Sequence, residues 1–258
     1  MFSRPLYHYA PPFPPSLQPK MMSFTVGVLA LQGGFFEHID LLHRAASVVF
    51  PSMRPEAVFT AIEVRTPADL DRSDALIIPG GESTTIAFVA QQSGLLEPLR
   101  DFVKVKRKPV WGTCAGLILL AEQANGAKIG GQELIGGLDV AVARNHFGRQ
   151  LQSFQATIHL PFLGENQPVN QAEPVDEFFP AIFIRAPIVE EILNDNVEVL
   201  ATVPREEKAK RGSTLDEKEK DDVIAVRQGS IVGMSFHPEL TEDPRIHVWW
   251  LRHILSTM

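Results

Sequence analysis

Cysteine is nearly absent from this sequence: Cys114 is the only one in 258 residues. A single thiol excludes an internal disulfide framework and agrees with a reducing compartment. Long apolar runs are also missing, since no stretch reaches the roughly 18 residues that would span a bilayer. Positive charge is in short supply. The net charge of −7 gives no reason to expect nucleic acid or an anionic membrane as a partner. His38, His43, His146, His159, His247 and His253 show no metal-ligand spacing, so they read as surface or core residues and no metal is expected. No glycine-rich loop is built to grip a phosphate, and no cofactor is expected. What the chain does have is 45% hydrophobic content, enough at this length to bury one full core. These features describe a soluble, cytoplasmic, globular protein.

Residues 1–22 stand apart. The first fifteen carry five prolines and neither a helical nor an alternating period. They lack the apolar centre of a secretory signal, and they are too poor in Arg and Ser for a transit peptide. The segment reads as a disordered proline-rich tail, or as an extension upstream of a start at Met21 or Met22. The expected single domain runs from 23 to 258, with an almost wholly charged loop insert at 204–222.

Within that domain, strands and helices alternate. Thr25–Leu31 is a continuous apolar run of the kind buried in a parallel sheet. Gln32-Gly-Gly34 turns it into a helix from Phe35 to about Ala46, with Phe36, Ile39, Leu42 and Ala46 on one face. Residues 48–61 read as a loop with no clear period. Strands follow at Ile62–Arg65 and Ala75–Ile78. The latter ends in Pro79-Gly-Gly-Glu-Ser-Thr-Thr85, where Ser83 can cap a helix, and another helix covers Leu95–Lys104. Further on, Leu138–Val142 and Ser153–Leu160 read as strands around a donor-rich loop at 143–150. Ala181–Pro187 is a strand ending at Arg185. Val223–Arg227 and Ile231–Phe236 form a hairpin, and a final helix from Arg245 to Leu255 packs Ile246, Trp249, Trp250 and Ile254. The alternation implies a three-layer α/β fold, with a mainly parallel central sheet flanked by helices. Ligands bind such folds beyond the carboxyl ends of the strands.

The stretch Pro109–Ala121 carries the chemistry. Val110 and Trp111 begin a buried strand, a tight turn follows, and Leu117–Ala121 is the apolar run of a helix. Cys114 sits at the turn between Gly112 and Gly116. Gly-x-Cys-x-Gly in that context is the cysteine form of a nucleophile elbow, where flanking backbone must approach closely. The start of a helix favours the thiolate. Far downstream, His237 and Glu239 stand two residues apart in His-Pro-Glu. In an extended segment both side chains point the same way, so the carboxylate can orient the imidazole and the imidazole can handle the thiol proton.

Taken together, Leu31-Gln-Gly33, Pro79–Thr85, Gly112–Leu117, Arg144–Gln150, Phe183-Ile-Arg-Ala-Pro187 and Ser235–Asp243 resemble the glutaminase subunits of pyridoxal 5′-phosphate synthase. These are class I glutamine amidotransferases with a flavodoxin-like fold, and the resemblance covers about residues 24–256. The Cys and His-Pro-Glu motifs are common to the class, whereas the segments around Arg144 and Arg185 are specific to this subfamily. The departures are the tail and the inserts at 48–61 and 204–222.

The resemblance implies that Cys114, His237 and Glu239 form a triad that hydrolyses L-glutamine to glutamate and ammonia through a cysteinyl thioester. It implies an oxyanion hole made by Gly81 and Ala115, and substrate binding by Gly80, Gly81, Glu82, Ser83, Arg144, Ile184 and Arg185. It also implies a partner, the synthase subunit of a hetero-oligomer, which uses the ammonia to build the vitamin B6 cofactor. Pyridoxal phosphate is then a product of the complex and not a cofactor of this chain. The competing readings are another class I amidotransferase or γ-glutamyl hydrolase, and a scaffold subunit that kept the fold without turnover.

Overall fold

The computed structural model describes residues 22–125, 132–144, 153–165, 176–203 and 221–258. The tail at 1–21, residues 145–150 of the donor-rich loop and most of the charged insert, 204–220, lie outside the described residues. Met22 already belongs to the first strand, and Asp222, expected in the charged loop, is a buried residue opening a strand.

Among the described residues, a ten-stranded sheet forms the centre. β1 (Met22–Leu29), β2 (Ala57–Val64), β3 (Ala75–Ile78), β4 (Val110–Thr113) and β12 (Ile231–Met234) lie side by side in the order β2-β1-β3-β4-β12, all parallel. The sheet continues through β11 (Asp222–Gln228), β9 (Ile188–Ile192), β6 (Leu138–Ala143) and β5 (Ala121–Asn125), with β10 (Glu198–Val203) pairing β11. β11 and β12 are the expected antiparallel hairpin. β7 (Ser153–His159) and β8 (Phe178–Ile184) make a separate two-stranded sheet.

Period-two alternation sends side chains to two cores, one on each face. Val28, Ile77 and Trp111 join a core covered by α1 (Phe35–Met53) and the C-terminal helix α6 (Arg245–Thr257), which buries Ile246, Trp249, Trp250 and Ile254 as expected. Leu29, Ile78 and Val110 join the opposite core. It is covered by α2 (Pro67–Asp71), α3 (Ser83–Gln92), α4 (Leu96–Arg100) with its π-helical continuation Asp101–Val105, and α5 (Ala115–Leu120). The expected three-layer α/β architecture is therefore the observed one. Among the described residues no helix is long and apolar enough to cross a membrane.

The stretch 48–61 is not a loop. α1 continues through Pro51 to Met53, and β2 starts at Ala57, pairing β1 in register over its whole length. Proline removes one backbone bond and costs about 3 kcal/mol inside a helix. Burial of Val49 and Phe50, at about 1.5–3 kcal/mol each, outweighs that cost. Phe36, expected on the buried face of α1, is 68% exposed. The stripe runs instead through His38, Leu41, Leu42, Ala45, Ala46, Val49 and Phe50. β5, β9 and β10 have no counterpart in the sequence reading, because Glu122, Glu190, Glu191 and Glu198 interrupt any simple alternation.

Candidate active site

Four adjacent parallel strands deliver the site. β1 leads into Gln32-Gly33-Gly34, β3 into Gly80-Gly81-Glu82, β4 into Cys114, and β12 into Phe236-His237. Their carboxyl ends open into a cavity of about 350 Å³. It is lined by Gly80, Gly81, Glu82, Ser83, Cys114, Arg144, Ile184, Arg185, His237 and Glu239, and by residues with no role assigned from sequence: Gln32, Gly33, Gly34, Ile118 and Leu240. Ala115, fully buried as the first residue of α5, is next to Cys114 in the chain but not on the cavity wall.

Cys114 carries the elbow in its backbone, with φ 48° and ψ −99°. A side chain other than glycine in such a conformation stores about 1–3 kcal/mol of strain. Packing on both sides enforces it. Cys114 N–H donates to Met234 O at 2.7 Å, and a Cβ on Gly116 would strike the backbone carbonyl of Ile78. The thiol is 5% exposed, and Sγ lies 3.8 Å from Ile184 O at the end of β8.

His237 is held from two sides. Its N–H donates to Ile182 O at 2.8 Å, and its Nδ1 donates to Glu239 Oε1 at 2.8 Å. The segment is not extended through Glu239, as the sequence reading had it. Pro238–Leu240 is a single 3-10 turn closed by Thr241 N–H on Pro238 O, and the turn swings the carboxylate under the ring. Gly80 permits the close approach of His237. A Cβ there would collide with the imidazole, 2.6 Å from Nδ1, while lying 3.3 Å from Cys114 Cβ. His237 Nε2 is buried and makes no hydrogen bond among the described residues.

Electrostatics favour a charged imidazole. Burial works against it, but the neighbouring Cys114 side chain and the Glu239 carboxylate outweigh burial and raise the His237 pKa from 6.5 to about 10. With Sγ directed at Ile184 O, the influence of Cys114 is one of proximity and not of a formed hydrogen bond. Glu239 is pushed up by burial but brought lower overall by His38 and His237. A group whose pKa is raised on folding stabilises the fold fully below its unfolded pKa, and that contribution disappears as pH climbs through the folded value. The His237 contribution is therefore lost between pH 6.5 and about 10. Melting curves across that window are expected to fall more steeply for the wild type than for His237→Asn. Parallel slopes would show that the ring is not held as a cation.

Glu82, expected as a substrate contact, is also the N-cap of α3. Its carboxylate accepts from Thr84 N–H at 3.2 Å, Thr85 N–H at 2.7 Å and the Thr85 hydroxyl at 2.7 Å. These bonds overcome its burial and lower its pKa to about 2. Ser83, expected as the cap, is the first helical residue, and its hydroxyl bonds Gln132 Oε1 at 3.0 Å. The reason is reach: the longer Glu82 side chain meets two free amides at once. Arg144 lies over this cap, with Nη2 3.3 Å from Thr84 Oγ1 and 3.4 Å from Glu82 Oε1. Gln32 Oε1 accepts from Glu82 N–H at 2.8 Å, which ties the first and second arms together. Arg185 faces the cavity from a residue with φ 44°.

Two histidines that the spacing left as surface or core residues lie directly behind the site. His38 and His247 are both completely buried. His38 Nε2 lies 3.4 Å from Glu239 Oε2. No sequence period could have found this, because the two histidines come from α1 and α6.

In sequence and in fold the chain is similar to known proteins. The model of the SNO glutamine amidotransferase family matches residues 28–256. The chain is 45% identical over 236 residues to the probable pyridoxal 5′-phosphate synthase subunit PDX2 of Arabidopsis thaliana, covering 88% of this chain and 85% of that one. It is 41% identical over 230 residues to the pyridoxal 5′-phosphate synthase subunit PdxT of Thermococcus onnurineus, covering 89% and 98%. Among solved structures, a glutamine amidotransferase superposes with a TM-score of 0.66 at 38% identity, covering 89% of this chain and 98% of that chain.

Proposed function

The chain belongs to the SNO glutamine amidotransferase family, and from that membership we propose how its residues carry out the reaction. The protein is a glutaminase that hydrolyses L-glutamine and delivers the ammonia to a synthase subunit for pyridoxal 5′-phosphate synthesis. The observation that carries the residue assignment is the convergence of Cys114, His237 and Glu239 on one cavity at the carboxyl edge of the sheet.

Cys114 thiolate attacks the side-chain amide carbon of glutamine. The carbonyl electrons move to oxygen, and the backbone N–H groups of Ala115 and Gly81 stabilise that oxyanion, typically the largest single term in acyl transfer. The carbon–nitrogen bond then breaks as imidazolium His237 gives its proton to the leaving ammonia, leaving a γ-glutamyl thioester. Water attacks the thioester with neutral His237 as base, and the carbon–sulfur bond breaks to release glutamate and restore the ion pair. Glu239 keeps the ring oriented through Nδ1. The substrate's α-amino and α-carboxylate ends meet Gly80, Gly81, Glu82, Ser83, Ile184 and the two arginines. Arg144 and Arg185 suit the carboxylate, since a guanidinium grips it in a fork. The single cysteine supports a reducing, cytoplasmic setting.

In the free chain the thiol lies 3.8 Å from Ile184 O, and His237 Nε2 makes no hydrogen bond among the described residues. Turnover is therefore expected to be low alone and to rise at least about fivefold when the synthase subunit docks and resets this loop cluster. Ammonia release from glutamine, measured with and without the partner, tests it. Equal rates in both states would defeat the idea.

A further inference from the structure

Beneath the cavity, α1 and α6 bring together a polar cluster inside an otherwise apolar core. His38 Nδ1 lies 2.9 Å from His247 Nε2, and its Nε2 lies 3.4 Å from Glu239 Oε2 and 3.3 Å from Thr113 Oγ1. Both imidazoles stand edge-on to the Trp111 indole, with ring centroids at 5.4 and 4.9 Å. Glu239 turns one oxygen to each histidine: Oε1 takes the hydrogen bond from His237, whereas Oε2, 3.4 Å from His38 Nε2, is buried without a formed hydrogen bond among the described residues.

The protons in this cluster can be assigned by elimination. An ionised carboxylate only accepts, so the nitrogen facing Glu239 carries a hydrogen. Burial, which outweighs the pull of Glu239 and is reinforced by His247 and His237, lowers the pKa of His38 to about 3. Burial, with a smaller push from Arg44, does the same to His247. Both rings are thus neutral and hold one proton each. With its proton on Nε2, His38 accepts at Nδ1, so His247 must donate from Nε2. That leaves His247 Nδ1 as a bare acceptor, and it is indeed buried without a hydrogen-bond partner among the described residues.

We propose that His38, oriented by His247, is a positioning residue for the hydrolysis: its Nε2–H bonds the Thr113 hydroxyl and sets a positive dipole against the far oxygen of Glu239, so that the near oxygen stays on His237 beside the nucleophile. This rests on the reaction path above. A neutral donor suits the task, because a second cation beside Glu239 would compete with imidazolium His237 for the same carboxylate. Thr113 is the residue before Cys114, so one ring braces both the acid and the nucleophile arm.

The test uses the full chain assembled with its synthase subunit. His38→Leu is expected to lower kcat for glutamine hydrolysis by about 10- to 100-fold while KM stays within about twofold. Iodoacetamide alkylation of Cys114, the only thiol of this chain, should slow by a similar factor at neutral pH. His38→Gln, whose amide N–H falls near the place of Nε2, should recover kcat to within about fivefold of wild type. His247→Phe should lie between the two. A folded His38→Leu chain with wild-type kcat overturns the proposal, as does a folded His38→Gln chain as slow as the leucine variant. If His38→Leu does not fold, wild-type kcat in folded His247→Phe overturns it instead. Activity surviving Cys114→Ala would sink the reaction path itself, whereas full activity in His38→Leu alongside an inactive Cys114→Ala would sink only this positioning role.

Discussion

Cys114→Ala, in the chain assembled with its synthase subunit, is expected to lose glutamine-dependent product formation by about 10,000-fold or more. This chain has no other thiol to substitute, and the change leaves the backbone hydrogen bond from residue 114 to Met234 O in place. The variant should therefore fold and still bind glutamine. Supplying an ammonium salt should restore synthesis, because the partner needs only free ammonia. His237→Asn should behave in the same way, since it removes the proton donor for the leaving group. Glu239→Gln should be milder, because an amide oxygen can still accept from Nδ1, while the charge and the second acceptor facing His38 are lost. Product formed from glutamine at the wild-type rate by the Cys114→Ala complex would refute the catalytic assignment. Loss with ammonium rescue separates a glutaminase from a scaffold that never turned over.

Gly116→Ala should cause a large loss of stability from a single methyl group. Gly116 is buried in the first turn of α5, and its Cα faces the end of β3. An added Cβ would run into the Ile78 carbonyl oxygen, with the Ile78 carbonyl carbon at 2.9 Å and its Cβ at 3.2 Å. Those are mostly backbone atoms of a central strand paired on both sides, so no flexible side chain can yield. Overpacking of this kind costs about 3 kcal/mol, which in a domain of this size lowers the melting temperature by roughly 6–12 °C. Activity should fall with it, because relief of the clash requires α5 to lift and to carry Cys114 out of register with His237. Calorimetry on the variant tests this. A melting temperature within about 2 °C of wild type would mean that the strand and helix can separate more freely than their packing indicates.

What the sequence determined by itself follows from local rules. Continuous apolar runs marked β1, β3 and β4, because strands covered on both faces need no polar side. Gly-x-Cys-x-Gly marked the elbow, because only glycine lets a strand turn so sharply against its neighbours. The motifs around Gly80, Arg144, Arg185 and His237 marked the cavity wall, and the alternation of strands and helices gave the α/β fold. Local rules failed where burial overrode propensity. Pro51 stayed helical because Val49 and Phe50 are buried beside it, and Phe36 is exposed although it falls at helical spacing. They also failed where length and reach decided the contact, as when Glu82 and not Ser83 capped α3. His38 and His247 show the deeper limit. Each is an unremarked histidine in an amphipathic helix, and nothing within ten residues of either distinguishes it from a core or surface residue. Only the packing of α1 against α6 on one face of the sheet places both under Glu239. Desolvation there keeps both rings neutral and leaves the carboxylate with a single cationic partner, His237. Local sequence can carry the chemistry of a side chain, but the dielectric around it and the neighbours that share its protons are set by segments distant in the chain.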